Sequence, residues 1–271
     1  LEFRRCSSDL DASIESAGFS LIKVADNGCG MDERNLRLCL LPHATSKIKS
    51  AEDLWNVTSM GFRGEALASI AAISRMCVTT SPDSGGLGYR IESIVGEAGH
   101  VEPVAHSQGT TVEVRDLFYN VPARKKFMKS QRGEQLAIVR VMEQVCIPFS
   151  TIHFTLSIDG KKVLDLPPCD RPFARIAAIA GAEFARGLFC CESAHVEGSM
   201  EAFCYVSSPE EIDARPRYQS LYVNMRRVDC DAITYSIRQA FEQFLGGNHR
   251  PSFFCFLTLD PSRVDVNVHP T

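Results

Sequence analysis

Residues 24 to 31, Val24-Ala25-Asp26-Asn27-Gly28-Cys29-Gly30-Met31, decide how the rest of the chain is read. The apolar Leu21, Ile22 and Val24 predict a strand over 19–25 that delivers Asp26 to its end. Asp-Asn-Gly in isolation is a turn sequence. The glycines Gly28 and Gly30 let the backbone turn sharply and approach a ligand closely. A carboxylate at the mouth of a half-buried sheet accepts hydrogen bonds strongly, so Asp26 can read an exocyclic amine such as that of adenine. A second stretch, Gly61-Phe62-Arg63-Gly64-Glu65-Ala66-Leu67, brings glycines, an arginine and backbone donors to the start of a predicted helix. Free N–H groups and the helix dipole stabilise phosphate oxygens at such a position.

At 271 residues the chain can hold one large or two ordinary domains. Its 45% hydrophobic and 23% charged content is that of a soluble globular protein. No apolar run approaches the roughly 20 residues that span a bilayer, and no signal peptide opens the chain. The eleven cysteines are scattered and none forms a Cys-x-x-Cys pair, so no metal site is expected and they read as reduced thiols in a cytoplasmic protein. His269 reads as a loop histidine. The formal net charge of −4 confines any contact with nucleic acid to local patches. Arg124, Lys125 and Lys126, followed by Lys129 and Arg132, form the densest patch, and Arg226 and Arg227 lie in a second scatter with Arg215 and Arg217. Either can bind DNA or be a solvated surface.

Along the chain, 10–25 predicts a hairpin turned at Ser16-Ala17-Gly18, and 33–41 a short helix capped by Asp32 and ended by Pro42. A helix runs from the glycine motif to Ser74. Strands follow over 76–80, 89–94 and 110–115, an amphipathic helix over 135–145, and a hairpin over 151–166 turned at Asp159-Gly160, with His153 facing outward. The composition of Leu166-Pro167-Pro168-Cys169-Asp170-Arg171-Pro172 is that of a linker and places a domain boundary there, dividing 1–168 from 169–271. The second part reads as a small α/β domain, with strands near 185–206, a helix over 231–245 and a strand over 253–259.

Two further blocks stand in order with the first two: His43-Ala44-Thr45-Ser46-Lys47-Ile48, and 109–124, which begins Gly109-Thr110-Thr111 and contains Asp116-Leu117-Phe118-Tyr119-Asn120-Val121-Pro122-Ala123-Arg124. The four blocks together resemble the amino-terminal ATPase region of the MutL family of DNA mismatch repair proteins, members of the GHKL superfamily. The resemblance implies an α+β fold: a GHKL-type (Bergerat) α/β sandwich that binds ATP, then a smaller domain like the second domain of ribosomal protein S5. By the same resemblance Asp26 binds the adenine amine, directly and through water shared with Thr110, while Gly28 and Gly30 shape the base pocket. Thr45, Ser46 and Lys47 belong to the lid over the phosphates, and Gly61, Phe62, Arg63, Gly64, Glu65, Ala66 and Leu67 wrap the triphosphate.

In the family the catalytic base and the Mg2+ ligand are a Glu and an Asn on a helix ahead of the first strand pair. Reading 10–25 as the hairpin leaves no such helix here, and Asn267-Val268-His269-Pro270 is followed by Thr271, not by the family's phosphate-sensing lysine. The expectation is therefore a nucleotide cradle with no catalytic residue of its own, cut from a longer protein. In that protein ATP binding, with Mg2+, would drive homodimerisation and couple DNA and a MutS-like mismatch-recognition protein to a downstream endonuclease or helicase. A type II topoisomerase-like ATPase region, or a non-catalytic DNA- or partner-binding fragment, are the competing readings.

Overall fold

The computed structural model describes residues 9–42, 44, 64–196, 200–209, 216–244 and 250–264. The chain divides into two compact units. The first takes the described residues up to Met142 together with Thr151–Pro168, and the second takes Glu143–Ser150 and everything from Cys169 onward.

The first unit is built on one sheet. Its strands are β1 (Asp9–Glu15), β2 (Leu21–Asp26), β3 (Arg75–Ser81), β4 (Leu87–Ile94), β5 (Glu97–Ala98), β6 (Glu102–Ala105), β7 (Gly109–Arg115), β8 (His153–Ile158) and β9 (Lys161–Leu166). They run in the order β5-β4-β3-β7-β2-β1-β8-β9, with β6 also on β4. The β1–β2 hairpin turns through a 3-10 segment at Ser16–Gly18, as the sequence predicts. One sheet face is apolar, and it packs against α1 (Glu33–Leu38), α2 (Ala66–Ala71) and the long α4 (Gln131–Cys146). Leu36 of α1 and Val78 of β3 are fully buried there, and each such side chain contributes about 1.5–3 kcal/mol through burial. Asp32 caps α1 by accepting from Asn35 N at 2.7 Å.

The opposite face is polar and held by exposed pairs: Lys23 with Glu113 at 3.4 Å, Thr155 with Asp11 at 2.9 Å, and His153 with Asp165 at 2.7 Å. Such pairs are screened by water, so they keep this face solvated and add little stability. His153 thus sits on the outer face, where strand alternation puts it.

The second unit places helices on both faces of a sheet ordered β10-β11-β14-β12-β13. Its strands are β10 (Leu188–Val196), β11 (Met200–Ser207), β12 (Gln219–Val223), β13 (Arg226–Val228) and β14 (Phe253–Thr258). On one face Tyr222, Phe254 and Phe256 pack with Ile176 and Ala180 of α5 (Pro172–Ala180), and Phe203 stacks on Phe256 at 4.5 Å. On the other, Val206, Leu221, Phe253 and Cys255 meet Ile233 and Ile237 of α7 (Asp231–Ala240). Glu143–Ser150 belongs to this unit for a visible reason. Ile147 is in its core, Gln144 O accepts from Tyr222 Oη at 3.0 Å, and Ser150 O accepts from the buried Arg175 at 2.9 Å.

Three details differ from expectation. The strands expected near 185–206 begin only at Leu188, because Ala182–Arg186 form a helix, α6; the segment is one turn long and follows Gly181 at φ 98°, too short to show a helical period. The helix expected over 231–245 ends at Ala240 and continues as a 3-10 turn over Glu242–Phe244. The helix expected to reach Ser74 stops at Ala71, because Ser74 and the strand after it pair onward. No described helix is long and apolar enough to cross a membrane.

The β12–β13 hairpin turns on Asn224 (φ 48°) and Met225 (φ 68°), both left-handed. An L side chain costs about 1–2 kcal/mol in that region, and glycine gives back about 0.5–1 kcal/mol in chain entropy. Met225→Gly should therefore raise unfolding stability by about 0.5–1 kcal/mol in urea titration.

Candidate functional site

Antiparallel partners on neighbouring strands point to the same face, so the registers of β2, β7 and β3 define rungs. Ile22, Val114 and Met76 form one rung, and Val24, Val112 and Val78 the next. Both are apolar, and all of their members but Val24 belong to the core that contains Leu36 of α1 and Ala71 of α2. The third rung, at the end of the strands, is Asp26, Thr110 and Thr80. The hydrophobic face thus ends in a polar edge.

Hydrogen bonding orders this edge. Thr80, fully buried, donates to Gly109 O at 2.9 Å and accepts from Met31 N at 2.9 Å. Its single proton being used, the 3.0 Å contact with Thr110 Oγ1 requires Thr110 to donate. Thr110 is left with spare lone pairs. Asp26 Oδ1 accepts from Gly28 N at 2.9 Å, and no described residue donates to its second oxygen. Two acceptors therefore sit side by side, an arrangement that matches a ligand amine or a water donating to both. Asp26 is half-buried at the end of β2, an interior strand of the sheet that lies between β7 and β1.

The turn after Asp26 is tightly bounded. A Cβ on Gly30, at φ 60°, would overlap the carbonyl oxygen of Ser81, and one on Gly109 would overlap that of Asp26. Gly28 is buried. Asn27 clasps the first strand, donating to Asp9 Oδ2 at 2.7 Å and accepting from Asp9 N at 3.0 Å. Neither Thr80 nor Asn27 stands out in the sequence as a site residue; the only signal for either is the register itself.

Gly64, at φ 63°, presses against the backbone of Ala44. Glu65 precedes α2 and makes no side-chain cap to it; Ala66 is exposed and the Leu67 side chain packs into the core. The Asp116–Asn120 segment pins the other end of α2. Phe118 N donates to Ile73 O at 2.7 Å and Asn120 Nδ2 to Ala72 O at 3.0 Å. Asp116 and Phe118 hold positive φ to do so. Thr45, Ser46, Lys47, Gly61, Phe62 and Arg63 lie outside the described residues.

Arg124 and Lys125 lie in α3 (Pro122–Lys125), Lys126 caps it, and all three are exposed. None of the three makes an ion pair among the described residues, and Phe127 beside them is 86% exposed. Arg226 and Arg227 belong to the second unit, where Arg227 is paired with Asp229 at 2.9 Å.

The chain is 38% identical over 262 residues to the DNA mismatch repair protein MutL of Dichelobacter nodosus, an alignment covering 97% of this chain. The chain belongs to the MutL family. It spans 44% of that relative's length. The family described as DNA mismatch repair protein, C-terminal domain, matches residues 176–271. Among solved structures, the Aquifex aeolicus MutL ATPase domain complexed with ADP superposes with TM-score 0.67 at 20% identity, covering 98% of this chain and 92% of that one. The ATPase region of Saccharomyces cerevisiae topoisomerase II is more distant, with TM-score 0.57 at 14% identity over 93% of this chain and 67% of that one. The fold is therefore the mixed α/β one shared by MutL and GHKL topoisomerase ATPase domains.

Gly30→Ala should cost about 2 kcal/mol or more, since it combines a left-handed φ with a backbone collision. A urea midpoint equal to that of the unsubstituted chain would show that the turn relaxes freely.

Proposed function

We propose that this chain is the ATP-binding and ATP-hydrolysing region of a MutL-like mismatch repair protein, serving as an ATP-driven conformational switch. One observation carries the reading: among the described residues nothing donates to the second oxygen of the Asp26 carboxylate, which stands beside the acceptor lone pairs of Thr110 at the foot of a glycine turn. In this reading Asp26 accepts from the adenine amine, Thr110 shares a bridging water with it, and Gly28 and Gly30 leave room for the base. Gly64 and the backbone at the start of α2 would take the phosphates, and the family resemblance assigns Thr45, Ser46, Lys47, Gly61, Phe62 and Arg63 to the same role. Mg2+ enters through the family resemblance alone; among the described residues no cluster of three His, Cys, Asp or Glu side chains could hold it.

The parent protein would be cytoplasmic and would homodimerise when ATP favours the closed state, by as much as ATP binds that state better than the open one. The dimer would engage DNA, a MutS-like recognition protein and a downstream endonuclease or helicase. Arg124, Lys125 and Lys126 are the stronger DNA candidates, because their charges have no ion-pair partner among the described residues, in a chain of net charge −4. Arg226 and Arg227 are the weaker, since Arg227 is already neutralised by Asp229.

Asp26→Asn turns an acceptor towards the amine into a donor. Titration calorimetry with ATP or ADP should show affinity lower by at least tenfold, about 1.4 kcal/mol; unchanged affinity would remove Asp26 from the site. For DNA, Lys125→Glu with Lys126→Glu should weaken binding equally across sequences. It should also flatten the plot of log affinity against log salt by about 1 for each phosphate no longer neutralised. An unaltered slope would return this patch to ordinary solvated surface.

A further inference from the structure

The register of the second sheet sets Cys191 of β10 opposite Cys204 of β11, and Cys204 opposite Cys255 of β14. Three thiols thus share one rung of three adjacent strands, graded from solvent to core: Cys191 is exposed, Cys204 half-buried and Cys255 buried beside α7. All three are reduced. The neighbouring Cys255 thiol and burial push the Cys204 thiol up. Cys190, the neighbour in sequence, faces the other way and pairs with Tyr205.

Directly opposed residues on antiparallel strands bring their Cβ atoms to about 4.5–5.5 Å, and a disulfide needs about 3.5–4.5 Å. The gap is a small shift of one strand. β10 is the edge strand of its sheet, with a register irregularity beginning after Ser193, so it has a free side towards which to adjust.

We propose that Cys191 and Cys204 are an oxidation site, a thiol pair that a low-molecular-weight disulfide such as oxidised glutathione converts to a cross-strand disulfide. Cys191, the accessible member, loses its proton to solvent and attacks one glutathione sulfur. The glutathione S–S bond breaks, a Cys191–glutathione disulfide forms, and one glutathione thiolate leaves. Cys204 then gives up its proton and attacks the Cys191 sulfur, forming the protein disulfide and releasing the second glutathione thiolate. Both leaving thiolates take up protons, so two protein thiols are oxidised and one glutathione disulfide is reduced to two thiols. Cys255, shielded from solvent, stays a thiol.

The test incubates the chain with increasing ratios of oxidised to reduced glutathione, quenches by alkylation, and digests after glutamate without reduction, which separates Cys191 from Cys204 between Glu192 and Glu201. Mass spectrometry should find a Cys191–Cys204 crosslink with loss of two hydrogens. The crosslink should persist in Cys190→Ser and Cys255→Ser and vanish in Cys191→Ser, an exposed position where the fold tolerates change. Cys204→Ala should accumulate the glutathione adduct on Cys191. A crosslink through Cys190 or between Cys204 and Cys255, or a Cys191 adduct that never resolves in the unsubstituted chain, overturns the proposal.

Discussion

The hydroxyl of Thr80 is the junction on which the candidate site depends. It is wholly buried, and it uses its one proton and two lone pairs on Gly109, Met31 and Thr110. A polar atom so placed is tolerated only when satisfied, since leaving it unpaired costs about 1–3 kcal/mol. Its partners are accordingly held in position. Met31 closes the glycine turn, Gly109 starts β7, and Thr110 is oriented as a donor inward and an acceptor outward. Asp26 stands next to that outward face because β2 and β7 are in this register and no other. A slip of one residue would turn Asp26 to the solvated face and bury Ala25 in its place.

Much of this architecture is legible from residue pattern. The strands of the first sheet alternate because only one face is covered, and Asp32 announces α1 because a short side chain with an oxygen can satisfy its first amides. The positions that escape are those determined by chain segments far apart in sequence. Alternation says that Thr80 and Asp26 each end a strand, and nothing in it says that β7 lies between them. Asn27 reads as a turn residue and is also a clasp to Asp9, eighteen positions earlier. The short α6 carries too few residues for a period to emerge, and β5 and β6 are brief edge pairings that depend on β4 being present. The sequence points to the pairing of Asp26 with Thr110 only through family resemblance; the register supplies its physical basis.

Two kinds of glycine can be told apart among the described residues. Gly30, Gly64 and Gly109 are where one backbone lies against another, so any side chain would meet a carbonyl. Gly86 and Gly160 have positive φ with open space around them and serve their turns alone. The first kind clusters around the polar rung and the start of α2. Close packing of main chain there leaves the few side chains present, Asp26 and Thr110 foremost, to decide what chemistry the edge offers.

The unequal fastening of α2 carries a mechanical consequence. Its trailing end is tied by Phe118, Asn120 and Gly96, while its leading end receives no side-chain cap from Glu65. The described restraints on the helix are thus concentrated at its trailing end. Any load applied near Gly64 is therefore transmitted along six residues to an anchorage in the Asp116–Asn120 segment, where Asp116 and Phe118 hold positive φ. That segment acts as the abutment of the glycine motif, bearing its load at a distance from any ligand.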